Sequence, residues 1–182
     1  MAIVVLWVAS EIGLAVARRS SDPGAASLDR SSLRALWITI SLAVTAAVML
    51  AGRRAGAFGS RAPGWEITGV AVILAGLALR WWAILTLRHA FTVDVAVASD
   101  QSVIESGPYA SVRHPSYTGI LISFVGMGVL FRHWTSLFVL LVPITAALLY
   151  RIGVEERALQ AGLGEAYAGY MRRTRRLVPF VY

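Results

Sequence analysis

Hydrophobic and polar positions follow one another in long blocks, without the period-two alternation of a half-buried strand. Apolar blocks cover 1–17, 33–51, 64–88, 116–131 and 134–150, with polar connections between them. They approach or exceed the ~20 residues a helix needs to cross ~30 Å of hydrocarbon. The first block is short for a span. The third, about 37 Å long at 1.5 Å per residue, can tilt or protrude. Arg18 and Arg19 follow the first apolar run instead of preceding it, so 1–17 reads as a span and not as a secretory signal. Residues 18–32, with the turn signal Asp22-Pro23-Gly24, and residues 52–63 read as loops. Only Arg132 and His133 separate the fourth and fifth blocks, which predicts a tight antiparallel hairpin. Gly119, Gly126 and Gly128 leave a smooth face on the fourth block for close packing. Pro143 is expected to kink the fifth. The pattern predicts an all-α integral membrane protein of five transmembrane helices, with a tight helix 4–helix 5 hairpin and a C-terminal arm over 151–182. It reads as a single domain: 1–88 supply three anchoring helices, and 89–182 supply a polar loop, the hairpin and the arm.

Composition supports a membrane and narrows the chemistry. The 182 residues are 57% hydrophobic and 15% charged, with net charge +7. Mean hydropathy is +0.66. All seventeen basic residues are arginine, and they lie mostly in the connections and the arm. That placement fits membrane topology better than nucleic-acid binding. An outside N-terminus puts twelve arginines on the inner side and four on the outer, with Arg80 within a span, so the positive-inside rule favours N-out and C-in. The loop after the third block and the arm then share the cytoplasmic face. Trp65 near one end of the third block and Trp81 and Trp82 near the other suit an interfacial belt. The absence of cysteine excludes disulfides and thiolate chemistry, and three scattered histidines argue against a metal site.

Polar chemistry concentrates in 103–119. Gly107-Pro108 and His114-Pro115 both oppose helix, so this stretch is a structured loop from which Pro115 starts a helix. Each candidate also has an ordinary reading. Arg113 and His114 suit headgroup-facing positions, Tyr109 and Tyr117 suit belt aromatics, Glu155 and Glu156 suit the solvated end of a helix leaving the membrane, and Arg151 and Glu155 are spaced to pair with each other. The hairpin, however, brings His114 and Tyr117 beside Arg151 and Glu155. Both charge signs, an imidazole and phenols then meet at one membrane edge, a set able to hold a polar zwitterion. Deeper in the spans, Glu11 lies seven residues before Arg18 and Arg80 eight before Arg88, about 10–12 Å from the helix ends. Either they pair, or Arg80 snorkels while Glu11 is protonated, or Arg80 faces the cavity of the polar site and has a functional role there.

Ser106-Gly107-Pro108-Tyr109, Arg113-His114-Pro115-Ser116-Tyr117-x-Gly119, Arg151-x-x-x-Glu155-Glu156-x-x-Leu159 and Gly164-x-x-Tyr167-x-x-Tyr170 occur in that order, with Pro179 near the end. As a set they resemble the isoprenylcysteine carboxyl methyltransferase family, whose wider superfamily includes membrane phospholipid methyltransferases. The resemblance covers roughly 70–180. It implies an integral membrane enzyme that uses S-adenosylmethionine, releases S-adenosylhomocysteine and methylates a lipophilic acceptor arriving from the bilayer among membrane lipids. No nucleic acid is implied. By position, the cofactor contacts would be Gln101, Ser102, Val103, Ile104, Tyr109, His114, Pro115, Ser116, Tyr117 and Glu155, with Asp94 as a further polar contact. Arg151 falls where the eukaryotic enzymes place a substrate-binding arginine. Gln101 stands where the eukaryotic pattern has histidine, Pro108 replaces a small apolar residue, and the glutamate run is two long instead of four. Five spans replace the eukaryotic eight. These departures bear on the acceptor more than on the cofactor. A carboxylate of a prenyl-cysteine-like or isoprenoid molecule suits the fork of Arg151 and needs no general base. A phospholipid amine or small-thiol methyltransferase on the same scaffold, or a non-enzymatic protein binding anionic lipid, are the alternatives.

Overall fold

The computed structural model describes residues 7, 11, 13, 26–53, 55–58, 63–88 and 102–179, and their regular structure is entirely helical. Helix α1 is Ala26–Ala51, α2 is Pro63–Leu87, α3 is Pro115–Phe131 and α4 is Trp134–Arg173. A 3-10 turn, Gly107–Ala110, precedes α3. Most of 1–17 lies outside the described residues, though Trp7, Glu11 and Gly13 within it are helical. By length and composition α1, α2 and α4 can each cross a membrane, and α3 is a shorter apolar helix.

The third and fourth apolar blocks match α2 and α3 to within one residue at each end. Two boundaries differ from the sequence reading. Helix α1 starts at Ala26, inside the stretch read as the 18–32 loop. The last breaker there is Pro23-Gly24, and nothing after it opposes helix. Helix α4 continues for 23 residues beyond Tyr150, into what was expected to be a separate arm. Helical dihedrals persist around Pro143. They fail only at Gly164 (φ 56°, ψ −133°), a conformation glycine adopts at little cost.

The hairpin turns through Arg132, which is left-handed (φ 49°), and extended His133. The Arg132 N–H closes α3 by donating to the Gly128 and Val129 carbonyls at 3.1 and 3.0 Å. His133 caps α4: Nδ1 accepts from the Ser136 N–H at 3.2 Å, and Nε2 donates to the Ala55 carbonyl at 2.7 Å. The α1–α2 connection is thereby fastened to the hairpin. The Phe58 N–H donates to the Arg132 carbonyl and the Trp134 N–H to that of Gly56, both at 2.9 Å.

Helix α2 packs along α3, α3 against α4, and α4 against α1. Leu36, Ala43 and Ala47 of α1 meet Leu140, Ile144 and Leu148 of α4 and Ile120, Phe124 and Met127 of α3. Trp7 joins this core, its ring centroid 5.0 Å from that of Phe124. Outward-facing Ile38, Leu42, Met49, Ile67, Leu74, Leu85, Phe138 and Val142 are exposed, as suits surfaces facing lipid. The α2–α3 contact runs backbone to backbone. A Cβ on Gly119 would lie 2.6 Å from the Gly76 oxygen, and one on Gly126 would lie 2.8 Å from the Gly69 oxygen. Of the small face expected on the fourth block, Gly119 and Gly126 therefore form the seam with α2, whereas Gly128 faces Leu137 of α4. Gly119→Ala is expected to lower stability by about 1–3 kcal/mol, because neither backbone can yield alone. Thermal unfolding in detergent checks this, and an unchanged midpoint would show that the seam can open.

Glu11 and Arg80 pair, with Nη2 and Oε2 2.5 Å apart. Of the ion pair and the snorkelling alternative, the ion pair is the one formed.

Candidate active site

Antiparallel packing of α3 on α4 places the start of α3 beside the middle of α4, where apolar sequence gives way to polar. Before α3 the chain must turn sharply, and Gly107 (φ 58°) allows it. A Cβ there would stand 3.2 Å from Thr86 Oγ1, so the turn sits directly on α2. The turn buries Pro108 and Tyr109. Burial, and then the nearby Glu155 carboxylate, push the Tyr109 phenol far above its ordinary pKa, leaving it neutral. Tyr170 O–H donates to the Tyr109 carbonyl at 2.7 Å, fastening the last turns of α4 to the loop.

The segment after α4 lies alongside this loop as a strap. The Arg113 N–H donates to the Arg175 carbonyl at 2.7 Å and the His114 N–H to the Arg176 carbonyl at 3.0 Å. Thr118 Oγ1 donates to the Leu177 carbonyl at 2.7 Å. Side chains repeat the connection through Glu156. Its carboxylate accepts from Arg113 Nε at 2.8 Å and Arg176 Nε at 2.9 Å, with His114 Nε2 at 3.3 Å. Arg113 also donates to the Met171 and Thr174 carbonyls. Glu156 is 4% exposed, so the loop, α4 and the strap meet at one buried carboxylate.

One helical turn nearer the apolar half of α4 is a second network. Tyr117 O–H donates to Glu155 Oε2 at 2.9 Å and accepts from Arg151 Nε at 3.0 Å. Arg151 Nη1 donates to Ser32 Oγ of α1 at 3.0 Å, and both residues are buried. The His114 and Tyr117 rings stack at 5.7 Å and 20°. His114 Nδ1 is 3.9 Å from Glu155, whose side chain keeps 28% of its surface open. On the α2 side, Arg80 Nη1 donates to Ser116 Oγ at 2.7 Å.

The residues expected at a site therefore divide. His114, Pro115, Ser116, Tyr117, Arg151 and Glu155 meet where α3 begins, and Tyr109 is buried in the turn before it. Ser102, Val103 and Ile104 lead into that turn without regular structure. Among the described residues no hydrogen bond joins them to the network, although neighbouring Glu105 pairs with Arg173 at 2.7 Å. Gln101 and Asp94 lie outside the described residues. Glu156 was expected to be solvated if the stretch simply left the membrane; instead it is buried and bonded. The strap residue Arg176 and the contact from Ser32 gave no expectation. Glu156 had a readable signal. Leu140, Ile144, Leu148 and Ile152 form a fully buried stripe at four-residue spacing, and Glu156 is its next member. Among the described residues, no group of three or more His, Cys, Asp or Glu could hold a metal ion.

The model of the isoprenylcysteine carboxyl methyltransferase (ICMT) family matches residues 69–161, just over half of the chain. Protein-S-isoprenylcysteine O-methyltransferase B of Arabidopsis thaliana is 33% identical over 121 residues, 64% of this chain and 61% of that protein. The Saccharomyces cerevisiae protein-S-isoprenylcysteine O-methyltransferase is 27% identical over 117 residues, 63% of this chain and 49% of that protein. The chain thus spans less than two thirds of the length of these curated relatives. Among solved structures, the eukaryotic intramembrane Ras methyltransferase ICMT superposes with a TM-score of 0.55 at 23% identity, over 84% of this chain and 52% of that one. That likeness is one of fold. With the family match covering α3, the hairpin and the Arg151–Glu156 stretch, the chain belongs to the isoprenylcysteine carboxyl methyltransferase family.

Proposed function

We propose that this protein is an S-adenosylmethionine-dependent methyltransferase whose acceptor is the carboxylate of a prenyl-cysteine-like or isoprenoid molecule. The observation that carries the reading is the Tyr117 hydroxyl held between Arg151 and Glu155. It sets a cation and a carboxylate side by side, one helical turn apart on α4. Arg151 is nearer the apolar half of α4, where a lipophilic carboxylate would arrive. Glu155 is farther out, where a polar cofactor would arrive. Bound S-adenosylmethionine would supply an electrophilic methyl group. The residues fit its amino-acid end. Among the described residues Glu155 accepts one hydrogen bond, from Tyr117, and a carboxylate has room for more, such as an ammonium donor. His114, stacked on Tyr117, and Tyr109, kept neutral, complete a polar wall. With them go Pro115, Ser116, the approach residues Ser102, Val103 and Ile104 and, outside the described residues, Gln101.

Five spans, an outside N-terminus and a cytoplasmic C-terminus belong to this reading, as does one domain over 1–182, with 1–88 as anchor and 89–182 as catalytic part. The membrane supplies the acceptor laterally, and nucleic acid has no role. Between acceptor classes, the buried guanidinium of Arg151 favours a carboxylate over an amine or thiol.

Glu155→Ala is expected to weaken S-adenosylhomocysteine binding roughly tenfold or more, the loss of a charge-assisted hydrogen bond. Calorimetric titration of detergent-solubilised protein reads it. Unchanged affinity would take Glu155 out of the cofactor site.

A further inference from the structure

We propose that Glu11 and Arg80 are positioning residues of the site, which set the Ser116 hydroxyl through a guanidinium bonded on three of its donors. The proposal rests on the reading of the α3 N-terminus as part of the cofactor site. Arg80 is 7% exposed. Its Nε and Nη2 donate to the two Glu11 oxygens at 2.6 and 2.5 Å, the paired geometry a guanidinium and a carboxylate form best. Trp7 Nε1 donates to Glu11 Oε1 at 3.3 Å, holding the carboxylate from its own helix. An ion pair serving stability alone would be complete at that point. Arg80 goes further and gives Nη1 to Ser116 Oγ at 2.7 Å.

The consequence for Ser116 is chemical. A guanidinium has donors only, so it cannot take the serine proton. Ser116 Oγ accepts from Arg80, and its own O–H is left to donate elsewhere. Ser116 stands between His114-Pro115 and Tyr117, in the second position of α3. The backbone there is fixed, since Gly119, one turn on, abuts α2 so closely that a Cβ would lie 2.8 Å from the Arg80 nitrogen. Arg80 therefore holds Ser116 as a directed donor, suited to an acceptor such as a carboxylate or ribose oxygen. Glu11 holds Arg80 at the angle this requires. The N-terminal stretch, read from sequence as an anchor, thereby reaches the site.

The test measures S-adenosylhomocysteine affinity by calorimetry and thermal midpoint together, on full-length protein in detergent. The double variant Glu11→Leu with Arg80→Met removes both charges at once and strands neither, so it is expected to keep its midpoint while affinity falls roughly tenfold. Ser116→Ala is expected to show a similar loss of affinity, and adding it to the double variant should cost nothing more. Arg80→Lys, which keeps the charge without the fixed fork, should also weaken binding and keeps the test open if the double variant does not fold. Unchanged affinity in the double variant or in Arg80→Lys, or losses that multiply when Ser116→Ala is added, would overturn the proposal while leaving the cofactor reading intact. Wild-type protein that binds no S-adenosylhomocysteine would overturn the cofactor reading, and this proposal with it.

Discussion

Glu156→Ala is expected to lower stability by about 3–5 kcal/mol and to free the strap from the loop. The reason is the company Glu156 keeps. Arg113 and Arg176 both bond its carboxylate, and the Arg113 side chain is 8% exposed. Deleting the carboxylate leaves a largely buried guanidinium without its counter-charge, which costs far more than one hydrogen bond. The strap has other attachments, through the Arg175, Arg176 and Leu177 carbonyls, but the ion cluster is where it joins α4 and the loop together. Two measurements check this: thermal unfolding in detergent, and the rate of tryptic cleavage after Arg175 and Arg176. The expected result is a lowered midpoint with rapid cleavage. A midpoint close to wild type with the strap still protected would show that the backbone contacts suffice.

The second large effect concerns Arg151. Arg151→Lys is expected to lower kcat/KM for a carboxylate acceptor roughly 100-fold while leaving S-adenosylhomocysteine affinity unchanged. Lysine keeps the charge and can still reach the Tyr117 oxygen. It cannot give one donor to Tyr117, another to Ser32 and a planar fork to a carboxylate at the same time. Steady-state kinetics with calorimetry on the same preparation separates the two quantities. If turnover and cofactor affinity fall together, Arg151 serves the cofactor or the fold, and the assignment to the acceptor is lost.

How much of this was legible in the sequence depended on whether side chains carried the signal. Helix α2 and the hairpin were readable from block length, and the α2–α3 seam from Gly119 and Gly126. Counting residues to the ends of two apolar runs offered the Glu11–Arg80 contact as one of the open readings, and the structure forms it, since opposite charges at equal depth are better satisfied by each other than by lipid. The meeting of His114, Tyr117, Arg151 and Glu155 followed from the hairpin alone. What stayed hidden was written in the backbone. The strap docks through the carbonyls of Arg175, Arg176 and Leu177, which no side-chain pattern announces, and the Arg176 side chain adds its bond to Glu156. The extension of α4 to Arg173 was masked by polarity. Hydropathy stops at Tyr150, yet the buried stripe continues through Ile152 to Glu156. A carboxylate on an apolar stripe looks solvated until its partners are known, and these came from segments distant in sequence. Ser32 was lost in a stretch read as loop, and only the earlier start of α1 placed it against Arg151.

The central claim is methyl transfer to a lipophilic carboxylate, and one measurement addresses it directly. Purified protein in lipid vesicles is supplied with S-adenosylmethionine labelled in its methyl group, and separately with a prenylated cysteine bearing a free carboxylate, an amine phospholipid and a lipophilic thiol. The account predicts label in the prenyl-cysteine product, released by mild base as a methyl ester is, and lost in Arg151→Lys. Label only in the amine or thiol product, or in none of the three, would contradict it.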